Sequence, residues 1–226
     1  MINEHSNESE VPKPFSSSRR HLLQQFFATG MLVGIAPAVL ANDKVTSVNK
    51  TKASTNKLAN DNRPSPPGID PTKEQIIRHL QQANKIAKQA MDAGHHPFGA
   101  VLVDADNETV LMQQGNINSV AHAESTLALL AAAKYSPTEL WGMTLYSTAE
   151  PCVMCAGTQY WANIGRLVYG MSERQLLDLT GNHSDNPTLD IPSRYVFNNS
   201  QKAIRVWGPI DEVVPEIVKL HINFWK

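Results

Sequence analysis

The sequence predicts an α/β protein, a three-layer α/β/α sandwich in which helices cover both faces of one sheet. Three observations carry this prediction. Phe98–Val103, Met143–Ser147 and Arg166–Tyr169 are short apolar runs of strand length. The segments between them place apolar residues at helical spacing. The two patterns alternate along the chain instead of being grouped, which is the order expected of layered α/β folds.

The elements follow from Asp70 onward. Asp70-Pro71-Thr72 supplies a cap and an early proline, and Ile76, Ile77, Leu80, Ala83, Ile86, Ala87, Ala90 and Met91 repeat at helical spacing up to Gly94. Phe98–Val103 reads as a buried strand, Ala105-Asp106-Asn107-Glu108 as a tight turn, and Thr109–Gln113 as the paired strand. A helix over His122–Lys134 precedes the strand Met143–Ser147. A second helix begins at the cysteines and reaches about Asn163, followed by a strand at Arg166–Tyr169 and a short helix at Ser172–Leu179. Residues 180–199 carry mixed turn chemistry and are expected to be irregular. Ala203–Trp207 reads as a last strand, and 211–225 as a final amphipathic helix.

The first 70 residues differ in kind. Ser18-Arg19-Arg20-His21-Leu22-Leu23 resembles a twin-arginine export motif, and 26–41 is uncharged and mostly apolar. Val39-Leu40-Ala41 and Ala36-Pro37-Ala38 are alternative cleavage sites, so 1–41 is expected to be a signal peptide. The apolar run is too short to span a bilayer, which needs about 20 residues. Contact with a membrane is therefore expected only in transit, and the destination is periplasmic or secreted. Residues 42–70 are rich in Asn, Lys, Ser, Thr and Pro and predict a disordered linker. The remaining domain, 71–226, has a net charge of −3. Binding to nucleic acid rests on neutralising phosphates with Lys and Arg, so no nucleic-acid partner is expected.

The chemistry concentrates in two places. Cys152 and Cys155 are the only cysteines, spaced so that both sulfurs project from one face of a first helical turn just after Pro151. The positive end of a helix favours thiolate, the form that binds zinc. His122 opens the preceding helix, and Glu124 follows two residues later. One imidazole and two thiolates leave a fourth zinc position open, as in catalytic sites. A disulfide or a redox pair is the competing reading of the cysteines, particularly after export.

HPFGAVLV (96–103), AHAE (121–124), LYSTAEPCVMC (145–155) and YWA (160–162) resemble, in order, the cytidine deaminase-like zinc hydrolases. The resemblance is nearest to the branch of guanine deaminases and tRNA adenosine deaminases. It implies a mixed five-stranded sheet and one zinc per chain held by His122, Cys152 and Cys155. It also implies that Glu124 carries the proton in a hydrolysis that releases ammonia from a nucleobase or nucleoside. A guanine-like purine is preferred; the alternatives are a cytosine or cytidine deaminase, a tRNA adenosine deaminase, or a thiol/disulfide protein without this activity. The resemblance places Phe98 beside the substrate ring and Asn116 on its edge, with Asn118 as the alternative because the loop before His122 is short. It implies a homodimer, with Tyr160 and Trp161 in the core and at the dimer contact. Glu150 is expected to buttress its loop. Phe224 and Trp225 are expected either to lid the cavity or to pack on the last helix. His79, His183 and His221 have no partner in the motif and are expected to be surface or structural.

Overall fold

The structure, a computed structural model, describes residues 62–181 and 183–225. The expected signal peptide and residues 42–61 of the expected linker lie outside them. No helix among the described residues is long and apolar enough to cross a membrane.

The chain opens with α1 (Lys73–Asp92), whose start is fixed by a reciprocal cap. The Thr72 hydroxyl accepts the Gln75 N–H, and the Gln75 side chain accepts the Thr72 N–H. A hairpin of β1 (Gly99–Val103) and β2 (Val110–Gly115) follows. Its turn is tied by Asp106, whose Oδ1 accepts the N–H groups of Glu108 and Thr109 at 2.8 and 2.9 Å. Next come α2 (Ala123–Lys134), α3 (Pro137–Gly142), β3 (Thr144–Ala149), α4 (Val153–Ala162) and β4 (Arg166–Met171). The described chain ends with α5 (Glu173–Thr180), α6 (Ser193–Asn198), β5 (Arg205–Trp207) and α7 (Val214–His221).

The sheet has the order β2-β1-β3-β4-β5. β1 is antiparallel to both neighbours, and the β3, β4, β5 pairs are parallel, so the five-stranded mixed sheet is present as expected. Alternation along β1 assigns the two cores. Ala100 and Leu102 pack with Leu127, Ala128 and Ala156 of α2 and α4. Val101 and Val103 pack with Leu80, Ala83 and Ile86 of α1 and Ile217 of α7. Burying each such aliphatic side chain contributes about 1.5–3 kcal/mol. Gly99 is required where α1 crosses β1: a Cβ there would lie 2.3 Å from the Ala83 carbonyl oxygen. This close crossing brings Phe98 to the end of the sheet from which α2 and α4 start.

Three expectations need correction, and a fourth feature had no expectation. Residues 62–70 do not belong to a disordered linker. Arg63 Nη1 donates to the carbonyls of Phe197 (2.8 Å) and Ser200 (3.0 Å), and Ala203 N–H donates to Pro64 O. The fully buried Arg166 guanidinium donates to the carbonyls of Pro67 and Ile69 and to Asn107 Oδ1. Composition marked this segment as loose, whereas backbone carbonyls satisfying a buried cation hold it in place. Second, the 180–199 stretch contains α6, which turns Ser193 and Phe197 inward. Third, the last helix ends at His221, and Asn223 at φ 66° turns the chain back. Fourth, α3 was not anticipated, although Ser136 and Glu139 form its capping box around Pro137.

That final turn carries Phe224 and Trp225 against His96, Phe98 and His221. Trp225 Nε1 donates to His221 Nδ1 at 3.2 Å over a near-parallel ring stack. His221 is 2% exposed, and burial, reinforced by the charge of His96, pulls its pKa from 6.5 down to about 4. The folded state thus keeps this ring neutral where the unfolded chain takes up a proton. Stability is unaffected above the unfolded pKa and falls as pH drops from there towards the folded value. Urea titrations should show a loss between about pH 7.5 and 5 that is roughly 2 kcal/mol larger in the native chain than in His221→Phe. Equal losses would remove His221 as the cause.

Candidate metal centre and its cavity

β3 ends at Ala149, and Glu150-Pro151 leads into α4, whose N-cap residue is Cys152. His122 is the N-cap residue of α2. Neither side chain caps its own helix; both turn instead towards the space between the two helix starts. Cys155, one turn into α4, completes the group and is fully buried. The two sulfurs are 3.7 Å apart and unbonded, and they lie 3.8 and 3.6 Å from His122 Nδ1. All three ligand atoms fall within 4.8 Å of one another. A tetrahedral zinc with bonds of about 2.3 Å to sulfur and 2.0–2.1 Å to nitrogen requires separations of about 3.8 Å (S to S) and 3.6 Å (S to N). The donor set therefore fits zinc in both chemistry and spacing.

Electrostatics point the same way. The neighbouring Cys155 sulfur, helped by the His122 ring, holds the Cys152 thiol well below the usual range, while the Cys152 sulfur and burial push Cys155 far up. The pair accepts one negative charge easily and resists the second until a cation shares the space. Both charges also face helix N-termini.

Glu124, in the first turn of α2, is only 5% exposed. The Ser147 hydroxyl of β3 donates to its Oε1 at 2.6 Å, and the Cys155 thiol donates to its Oε2 at 3.5 Å. Burial raises its pKa. Beside it opens a small cavity of about 40 Å³ lined by Phe98, His122, Glu124, Glu150, Cys152 and Glu173, among others. A wider vestibule continues from it past His96, Asp185, Asn186 and Leu189. Neither space is lined by Lys or Arg among the described residues.

The structure thus brings together His122, Glu124, Cys152, Cys155 and Phe98. Asn116 does not line the cavity. It sits behind Phe98, to whose carbonyl its N–H donates, with its side chain buried and its Oδ1 unpartnered. Asn118 is spent locally, its Oδ1 accepting the N–H groups of Val120 and Ala121 at 2.9 and 2.7 Å. Phe224 and Trp225 back Phe98 and His96 without lining either space. Glu150 is a buttress: its Oε1 accepts the Ser193 N–H and hydroxyl, both at 2.8 Å, and its Oε2 accepts the Glu173 N–H at 3.2 Å. Sequence reasoning missed Ser147 and Glu173. Strand alternation could have found Ser147, two residues beyond the buried Leu145; no motif signals Glu173.

Residues 73–171 match the cytidine and deoxycytidylate deaminase zinc-binding region. A probable cytosine deaminase of Schizosaccharomyces pombe is 35% identical over 157 residues, covering 67% of this chain and 93% of that protein. A tRNA-specific adenosine deaminase of Bacillus subtilis is 36% identical over 97 residues, 41% of this chain and 59% of that one. The fold is similar to that of a guanine deaminase from Nitrosomonas europaea, with a TM-score of 0.52 and 18% identity over 70% of this chain and 88% of the other.

Cys152→Ala should lose zinc by elemental analysis and lower Tm by about 10 °C or more, since metal binding and folding are coupled. Chelation of the native protein should reproduce the shift. Stoichiometric zinc in the variant would overturn the ligand set.

Proposed function

The chain belongs to the cytidine and deoxycytidylate deaminase zinc-binding family, and from that premise we propose that it deaminates a free nucleobase by hydrolysis. The observation that carries this reading is Glu124, a buried carboxyl beside the metal position that lines a cavity leading out to the vestibule. Zinc, when bound, supplies Lewis acidity and brings the pKa of water towards neutrality. The chain's own groups do the rest. Ser147 fixes one oxygen of Glu124 and so points the other at the reacting centre. That oxygen loses the Cys155 proton as a donor once both thiols are ionised, leaving Oε2 free to take a proton from the attacking water. Glu124 then returns a proton to the departing amine. A C–O bond forms, a C–N bond breaks, a ring carbonyl results and ammonia leaves. Phe98 supplies an apolar wall for the ring. Asn116 keeps a buried amide oxygen without a donor, at a cost of about 1–3 kcal/mol, but it lines neither space and is given no contact with the ring.

The linings favour an uncharged substrate. Glu124, Glu150, Glu173 and Asp185 face the two spaces, with no cation to receive a phosphate. This counts against nucleotides and RNA. Between bases, the relative matched over 93% of its length favours a cytosine-type ring, and the likeness of fold supports the guanine-like purine expected from the motifs. A homodimer has a surface to use. Leu129 and Met154 line an open groove between α2 and α4, and Trp161 on α4 is 83% exposed.

Ammonia release should be seen with cytosine or guanine and be weak or absent with their nucleotides; release from tRNA alone would overturn the reading. Glu124→Gln should keep zinc while turnover falls roughly 10²–10⁴-fold. Unchanged turnover would remove Glu124 from the chemistry. Trp161→Glu should shift the sedimentation coefficient from dimer to monomer; a native chain that is already monomeric refutes the dimer.

A further inference from the structure

The vestibule has two unlike walls. On one stand His122 and Cys152, each opening a helix that packs in the core. The other is made of five consecutive residues, Asp185 to Leu189, from the chain between α5 and α6. Of these five, Asn186 alone also lines the inner cavity. Whatever reaches the metal position through the vestibule therefore passes along this segment.

Little holds the second wall in place. None of the residues from 183 to 192 is buried, and Leu189 is 55% exposed. Among the described residues, the hydrogen bonds of 184–191 close within 183–191, with one exception. The Asn186 N–H donates to His183 O at 3.1 Å, the Asn186 amide to Thr188 Oγ1 at 2.9 Å, and the Ile191 N–H to Leu189 O at 2.7 Å. The exception is Asp190, whose carboxylate accepts from the guanidinium of Arg174 on α5 in a solvent-exposed ion pair. The flanks are firmer. Before the segment, α5 packs through Leu176, and the His183 ring lies 6.0 Å from that of Trp225. After it, the buried Ser193 is bonded to Glu150. A stretch with exposed side chains and self-contained hydrogen bonds opens at a lower free energy than the packed elements around it.

We propose that 183–191 is a lid over the vestibule and that the Arg174–Asp190 ion pair is its latch. Arg174 is then a positioning residue, which acts through Asp190 to keep Asn186 at the wall of the inner cavity. The proposal deepens the deaminase reading and rests on it. Closed, the segment narrows the way to the metal and limits the entry of water. Open, it admits a base and releases the product. An exposed ion pair suits this task because it is weak enough to break and re-form in every cycle.

The test follows two rates in the zinc-loaded full chain: amide exchange of 183–191 by mass spectrometry, and zinc transfer to excess EDTA. In the native chain the segment should exchange faster than α4. Asp190→Asn and Arg174→Gln should each raise both rates roughly two- to fivefold, the range expected of one exposed ion pair. The two changes together should do no more than either alone, because they remove the same interaction. Arg174→Asp combined with Asp190→Arg should bring both rates back towards native, which a loss of packing would not allow. Replacing 184–190 by a short Gly-Ser linker should speed transfer roughly 10-fold or more, since the lid is then gone. Zinc content and the exchange of α4 check the fold. Segment exchange no faster than that of α4, or zinc transfer unchanged in the ion-pair variants and the shortened chain alike, overturns the lid. Failure of the reversed pair to restore the rates overturns the latch. Ammonia release from cytosine or guanine by the native chain is scored separately. Its absence, with both rates behaving as expected, overturns only the deaminase reading.

Discussion

Three ligand atoms within 4.8 Å of one another, two of them sulfurs from one helical turn, constrain how the rest of the fold is arranged. The group forms only if two helix starts converge at one end of the sheet. β2 and β3, both antiparallel to β1, end on the same side of the sheet and deliver those starts: β2 leads to His122, and β3 leads through Glu150 and Pro151 to Cys152. The N-cap positions of α2 and α4 go to His122 and Cys152, neither of which caps its own helix. Elsewhere, α1, α3 and α5 each receive a full capping box. At α2 and α4 the N-cap position goes to a metal ligand in place of a capping side chain, whereas α6 and α7 lack a side-chain cap without holding a ligand.

Electrostatic tension around that point is managed residue by residue. Glu124, Glu150 and Glu173 are all at most 5% exposed near two thiols that become thiolates on metal binding. Each acid is handled differently. Glu124 is oriented by Ser147, Glu150 is saturated by backbone and hydroxyl donors, and Glu173 is left to the cavity. Among the described residues that line the two spaces there is no Lys or Arg, so a bound metal would add to His122 and the helix dipoles the positive charge that these acids share.

Much of this was legible in the residues. The α/β alternation, the capped start of α1 and the strands β1, β3 and β4 follow from periodicity and spacing, because each depends on neighbours in sequence; the grouping of His122 with Cys152 and Cys155 is what the resemblance of the motifs implies. The misses depend on long-range partners. The 62–70 segment has a loop-like composition, and its order comes from Arg166, about a hundred residues away. α6 is short and apolar on one side only, so its turn signals outweighed its helical ones. Asn116 and Asn118 could not be ranked by residue type. Geometry separates them, since Asn118 has its donors and Asn116 Oδ1 has none. Glu173 belongs to no motif, and only the shape of the cavity reveals it.

Glu150 binds the N–H of Glu173 with one oxygen and Ser193 with the other, so a single acid fastens both feet of the excursion that runs out over the vestibule and back. Loop closure costs little more as a loop lengthens. Beyond α5, whose Leu176 packs in the core, the stretch that includes Asn186 and Leu189 can therefore be lengthened, trimmed or rewritten while the metal ligands stay where they are. Evolution has here an awning it can exchange without rebuilding the doorway, and related chains with the same ligands could diverge in diet through that stretch alone.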